Sequence, residues 1–241
     1  MLRDKQAQQG FSLIEVAIVL VIIGVLLAGV TGPLSTWRDH ETYKQTELYL
    51  EQSRKALLTF AAVKGHLPCP DTDGDGGEDR STAAGRTCDE SEGTLPWLDL
   101  GLTRETPWQQ PAFYAVHGRV DNHDCDTTNE AECFFDDSTK YNLATKAGDT
   151  GQLHVNDAEQ SVAGVTELVS QALVVVASFG RNSAETFNDC PGGSDSDDER
   201  ENCDGDVNFA HTSPRIAAGN RYDDQLIWLD KLSLHGLLLA N

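Results

Sequence analysis

Twenty residues, Phe11 to Val30, carry one charge between them, the carboxylate of Glu15. At about 1.5 Å rise per residue a helix over this run spans about 30 Å, the thickness of a bilayer's hydrocarbon core. A carboxylate buried in lipid costs about 2.5–3.5 kcal/mol on insertion scales. A nearby cation would offset that cost, yet no Lys or Arg occurs between Lys5 and Arg38. The run therefore predicts a transmembrane helix whose Glu15 is neutralised by a charge from outside the segment.

Other readings of the run fit less well. A secretory signal has an apolar core of about 7–15 residues and a small-residue cleavage site after it; this run is longer, and Leu26-Leu27-Ala28-Gly29 lacks the cysteine of a lipoprotein. A plain anchor leaves Glu15 unexplained. Arg3 and Lys5 precede the run, so the positive-inside rule keeps the short leader in the cytoplasm and sends everything beyond Pro33 across the membrane.

Gly10-Phe11-Ser12-Leu13-Ile14-Glu15-Val16, continued by Ala17-Ile18-Val19-Leu20-Val21-Ile22-Ile23-Gly24, resembles the prepilin-type N-terminus shared by type IV pilins and type II secretion pseudopilins. The resemblance implies that prepilin peptidase cuts between Gly10 and Phe11 and that the new Phe11 amino group is N-methylated. It also implies that Glu15 of one subunit pairs in a filament with the Phe11 ammonium of its neighbour. Cleavage then creates the missing cation. The chain so read has a cytoplasmic leader (1–10), a transmembrane and assembly segment (11–33) and an exported pilin-like domain (34–241). Its implied surroundings are the bacterial inner membrane, the periplasm, the peptidase and other pilin or pseudopilin subunits.

An exported domain suits the cysteines. Cys69, Cys88, Cys125, Cys133, Cys190 and Cys203 are even in number, which in an oxidising compartment favours disulfides over free or metal-bound thiols. Their clustering favours sequence neighbours, Cys69 with Cys88, Cys125 with Cys133 and Cys190 with Cys203. Acid dominates the charge, 39 Asp and Glu against 18 Lys and Arg, a net of −21. With no basic patch to displace counterions, nucleic acid and anionic membrane surfaces are excluded as partners.

The acid gathers near the cysteines, and one stretch is patterned. Asp71-Thr72-Asp73-Gly74-Asp75-Gly76-Gly77-Glu78 alternates carboxylates ahead of a glycine, as the first half of an EF-hand loop does. The twelfth position is Thr82 where that loop has a bidentate Glu. Two readings stay open: a calcium site using Asp71, Asp73, Asp75 and Glu78 or Asp79, or a solvated acidic turn, since turns also use Asp and Gly. Asp195 to Glu199, with Asp204 and Asp206, lacks such spacing and reads as a charged, mobile loop, or less readily as a cation site.

The rest predicts an α+β fold: a long N-terminal helix, transmembrane in its first half, packed against a small antiparallel sheet in a loop-rich, disulfide-stapled head. Pro33 bends the helix without ending it, and Gly65 with Pro68 stops it near Lys64. Tyr43, Leu50 and Leu57 recur every seven residues, with Ala61, as one apolar stripe. Strands are expected at 113–120, 171–178 and 224–230, a helix at 157–170 and a short terminal helix at 232–240. Gly65-His66-Leu67-Pro68-Cys69-Pro70-Asp71, Gly93-Thr94-Leu95-Pro96-Trp97-Leu98-Asp99-Leu100-Gly101-Leu102 and Asp223-Asp224-Gln225-Leu226-Ile227-Trp228-Leu229 resemble a group of large prepilin-like proteins of Gram-negative bacteria. That resemblance implies a minor or accessory subunit.

No nucleophile elbow, His-Glu-x-x-His motif or phosphate-cradling loop is present, so no enzyme is expected. His117, His123, Cys125 and Cys133 match no common zinc spacing. Two functions are therefore set against each other: a filament subunit assembled through Phe11 and Glu15, and a membrane-tethered, adhesin-like binding module whose acidic loops meet a ligand.

Overall fold

The computed structural model describes residues 12–80, 88–116, 134–135, 151–159, 164–182, 196–215 and 221–238, the side chains of 27–36, 235 and 237–238 excepted. Two compact units divide the chain, Met1–Thr42 and Tyr43–Asn241. Helix α1 (Leu13–Lys64) belongs to both. Pro33 lies inside it, as the sequence predicted, and Gly65 ends it. At φ +88° Gly65 takes the left-handed turn that few other residues tolerate, and its N–H donates to the Ala61 carbonyl at 2.9 Å.

Within the second unit α1 buries Thr46, Tyr49, Leu50, Ser53, Leu57 and Phe60, a spacing of three and four that puts all six on one helical stripe. The heptad Tyr43, Leu50, Leu57 falls on this stripe. Thr46 and Ser53 escaped an apolar count, though Ser53 is fully buried, its Oγ donating to the Tyr49 carbonyl one turn back at 2.9 Å. Tyr49 donates to the Thr103 carbonyl at 3.0 Å, and burial pushes its phenol up to about 12.

Among the described residues, six strands form one sheet around the 12-residue β4 (Glu167–Ser178). On one edge β4 pairs antiparallel with β6 (Gln225–Asp230), Ala177 opposite Leu226 and Val174 opposite Leu229. Two strands share the other edge end to end: β2 (Phe113–Val116), with Val116 opposite Val174, and β3 (Leu153–Asn156), with Leu153 opposite Ala172. Outside them lie β1 (Glu92–Thr94), antiparallel to β2, and β5 (Asn208–Ala210), parallel to β3. The expected small antiparallel sheet is thus larger and mixed.

Ala172 to Ala177 are all fully buried because the sheet is covered on both faces. Val174, Val176, Tyr114, Val116 and Leu229 join the cluster of Leu50 and Leu57, while Val175, Ala177, Leu153, Phe209 and Phe179 fill the other. Leu173 shares the α1-side cluster with its neighbour Val174, where the pairing with β6 slips between Ala172 and Val174.

Two expectations are corrected. The helix at 157–170 does not form: Asp157 and Thr166 close the turn from β3 into β4, each backbone N–H bonded to the other residue, at 2.9 and 2.7 Å. Gly164 sits at φ +87°, and β-branched Val165, Thr166 and Val169 favour the extended chain. The supposed mobile acidic loop contains helix α2 (Asp197–Glu201), with Asp198, Glu199 and Glu201 buried. Ser196 caps it, its Oγ accepting from the Glu199 N–H at 3.3 Å, and three acids in the first turn face the positive end of the helix. Helix α3 (Lys231–Leu238) closes the chain, and Leu234 packs into the α1-side cluster.

Leu57 has no exposed surface and lies amid that cluster. Leu57→Ala is expected to cost about 2–5 kcal/mol through lost burial and the cavity left behind, read as a lowered urea midpoint at unchanged slope.

Candidate functional site

Ser12 precedes α1, and its carbonyl accepts the N–H groups of Glu15 and Val16 at 3.0 and 3.2 Å. Glu15 thus stands in the first turn, its carboxylate at the positive end of the helix. Every side chain from Ser12 to Leu26 is exposed, among them Leu13, Ile14, Val16, Ile18, Val19, Leu20, Val21 and Ile22. A helix apolar on all sides is at home in lipid or among other helices. Among the described residues Glu15 makes no ion pair, and no helix is long and apolar enough to cross a membrane. Gly10 and Phe11, the expected cleavage and methylation residues, lie outside the described residues.

The Asp71 loop is a constructed object. Asp71 is 1% exposed, so it does not belong to a merely solvated turn. Its Oδ1 accepts the Gly74 N–H at 2.7 Å; its Oδ2 accepts the Gly76 N–H at 3.0 Å and the Thr94 hydroxyl at 2.9 Å. Gly76, at φ +92°, is pressed so close to Trp97 that a Cβ there would lie 2.4 Å from the indole ring. Asp79 Oδ2 accepts from the Thr72 N–H at 2.7 Å, the Thr72 hydroxyl at 2.6 Å and the Asp73 N–H at 3.1 Å. Burial alone would raise the Asp79 carboxyl, but these bonds outweigh it and hold the group below its ordinary value.

Of the expected calcium ligands, the fold gathers Asp71, Asp73 and Asp79, one carboxylate oxygen of each lying within 4.8 Å of the others. Asp75 and Glu78 are not in that group. Asp75 caps the Gly77 N–H at 2.7 Å, and Glu78 Oε2 is taken by the Cys69 N–H at 3.1 Å and by Arg80 at 2.6 Å. The Cys69–Cys88 disulfide fastens the base of the loop, with 5.1 Å between its Cα atoms. Cys203 is also disulfide-bonded; the pairings expected of Cys125, Cys133 and Cys190 lie outside the described residues.

Residues 5–31 match the family model of the prokaryotic N-terminal methylation motif, the hallmark of prepilin-type proteins such as type IV pilins and pseudopilins. The chain carries a prepilin-type N-terminus. Neither a curated protein nor a solved structure matches it. The motif spans Glu15 and the exposed apolar stretch, so the prepilin-type segment and the helix start that presents its carboxylate coincide.

Residues that sequence reading passed over lie in the head, beyond the prepilin-type segment. Arg80 bridges Glu78 and His66 Nδ1, at 2.6 and 2.8 Å, and donates to the Phe135 carbonyl. An open groove of 620 Å³ is lined by Tyr43, Glu47, Glu51, Asp157, His211 and Asp224 among others. Its carboxylates make it hostile to anionic ligands. His211 contacts Trp228 edge-on, and burial pushes its pKa down.

Proposed function

We propose that the protein is a structural subunit, a minor pilin or pseudopilin, of a type IV pilus or type II secretion pseudopilus. Prepilin peptidase cuts it between Gly10 and Phe11, Phe11 is N-methylated, and the apolar half of α1 holds the subunit in the inner membrane with its head in the periplasm. In the filament Glu15 pairs with the Phe11 ammonium of a neighbour. The observation that carries this reading is the lone carboxylate at the start of a helix apolar on every side, inside the methylation motif. The head has a packing role in this reading and performs no catalysis.

Mass spectrometry of the native protein tests the processing. The expected species lacks residues 1–10 and carries a methyl group on Phe11; an intact chain beginning at Met1 in cells with active peptidase overturns the reading.

The Asp71 loop serves the head as a calcium site. Counted from Asp71, the carboxylates of Asp71, Asp73 and Asp79 fall at the first, third and ninth places of an EF-hand-like loop, and Gly76 supplies the sharp turn at the sixth. Oxygen donors alone, with no sulfur or imidazole, suit a hard cation.

A further inference from the structure

A second acidic group is built into the head. One carboxylate oxygen each of Glu199, Asp223 and Asp224 lie within 4.8 Å of one another, and the residues are 0%, 8% and 3% exposed. They come from α2 and from the turn into β6, and each is held by named donors. Glu199 Oε2 accepts from the Asn182 amide at 3.0 Å and its Oε1 from the Asp223 N–H at 3.3 Å. Asp223 Oδ2 accepts from the Arg181 N–H at 3.2 Å, and Asp224 Oδ2 from the Asn202 amide at 2.7 Å. Asn202 is itself fixed, its Oδ1 accepting from the Ala210 N–H at 2.8 Å.

At least one acceptor in this arrangement is left over. Asp224 Oδ1 is buried with no hydrogen-bond partner, and among the described residues Asp224 makes no ion pair. A buried carboxylate oxygen without a donor is costly, and two more carboxylates beside it make the cost larger. A divalent ion at this cluster gives the left-over oxygen a partner.

We propose that Glu199, Asp223 and Asp224 hold a hard divalent cation of the calcium or magnesium class. The donors are all oxygen, which excludes the softer metals that seek sulfur or imidazole. Asp224 also lines the groove that carries Glu47, Glu51 and Asp157, so a hydrated cation approaches along a negative wall. The bound ion ties α2 to the start of β6. It also steadies α1, because the Tyr43 hydroxyl donates to the Asp223 carbonyl at 2.9 Å and Gln225 Nε2 donates to the Tyr43 carbonyl at 3.2 Å. The site is independent of the Asp71 loop and of filament assembly.

The test uses the full-length protein in detergent, stripped with EDTA and titrated with calcium chloride or magnesium chloride by calorimetry and thermal melting. Asp73→Ala removes the loop site and leaves the buried group intact. In that variant one of the two ions is expected to give a binding heat and to raise the melting midpoint by about 5–10 °C near one hundred times its Kd. Adding Asp224→Asn, which keeps the shape and removes a charge, should weaken this remaining binding at least about tenfold. Adding Glu199→Gln in its place should do the same, so the inference stands even if one double variant fails to fold. No heat and no shift with either ion in Asp73→Ala overturns the buried site. Loss of calcium binding in Asp224→Asn alone, with Asp73 intact, overturns the loop site instead.

Discussion

Replacing Glu15 with leucine is expected to cut incorporation into filaments by at least about tenfold while leaving membrane level and leader cleavage close to wild type. The two readouts move apart because the substitution acts on them with opposite signs. In lipid the apolar side chain removes an insertion cost of about 2.5–3.5 kcal/mol, so the membrane-held subunit is no less stable. In the filament it removes one partner of a charge-assisted bond worth about 1.5–3 kcal/mol and leaves the neighbouring ammonium unpaired, which is a factor of ten or more in assembly. Glu15→Gln, alike in shape and uncharged, should lose most of the same incorporation. Immunoblots of sheared filaments against the membrane fraction read the ratio. Wild-type incorporation of Glu15→Leu would sink the pairing mechanism and leave the apolar helix as a plain anchor.

How far the sequence could be read depended on the range of the physics involved. The Phe11–Val30 run is legible because lipid imposes one rule on every residue, so one exception is visible at once. The Tyr43, Leu50, Leu57 stripe and the Ala172–Ala177 strand were legible because burial repeats with the period of the element. Ser53 was missed because a hydroxyl bonded within its own helix can be buried like a methyl. Residues 157–170 misled because their helix-compatible composition lost to a turn closed by Asp157 and to antiparallel pairing of Glu167 and Val169 with β3, the strand just before them. A local signal for α2 did exist, the Ser196-x-x-Glu199 capping pattern, hidden in what read as an undifferentiated acidic tract. Nothing local could place Glu199 beside Asp223 and Asp224, because that meeting depends on where β6 enters the sheet.

Asp71→Ala is expected to destabilise the head by about 2–4 kcal/mol, the second large effect. The substitution deletes both oxygens that organise the loop, so the buried Gly76 N–H loses its acceptor while the Gly74 N–H and Thr94 hydroxyl must turn to water. Orphaning one buried donor costs about 1–3 kcal/mol, and bonds to a charged acceptor are stronger than neutral ones. Asp71 also exchanges backbone bonds with Thr94, N–H to carbonyl in both directions at 2.9 and 2.8 Å, so the damage reaches the end of β1. Asp75→Ala, which touches only the exposed Gly77 N–H, should cost well under half as much. Comparable urea midpoints for the two variants would show that Asp71 is not the organiser of the loop. Acid supplies an independent check through Asp79, whose pKa is lowered in the folded state. Its stabilising contribution is complete above the ordinary carboxyl pKa and is lost as pH falls through the lower folded value. Asp79→Asn should therefore lower stability at neutral pH and flatten the acid limb of the stability curve, and an unchanged acid limb would mean that the Thr72 and Asp73 donors do not hold the Asp79 carboxylate in solution.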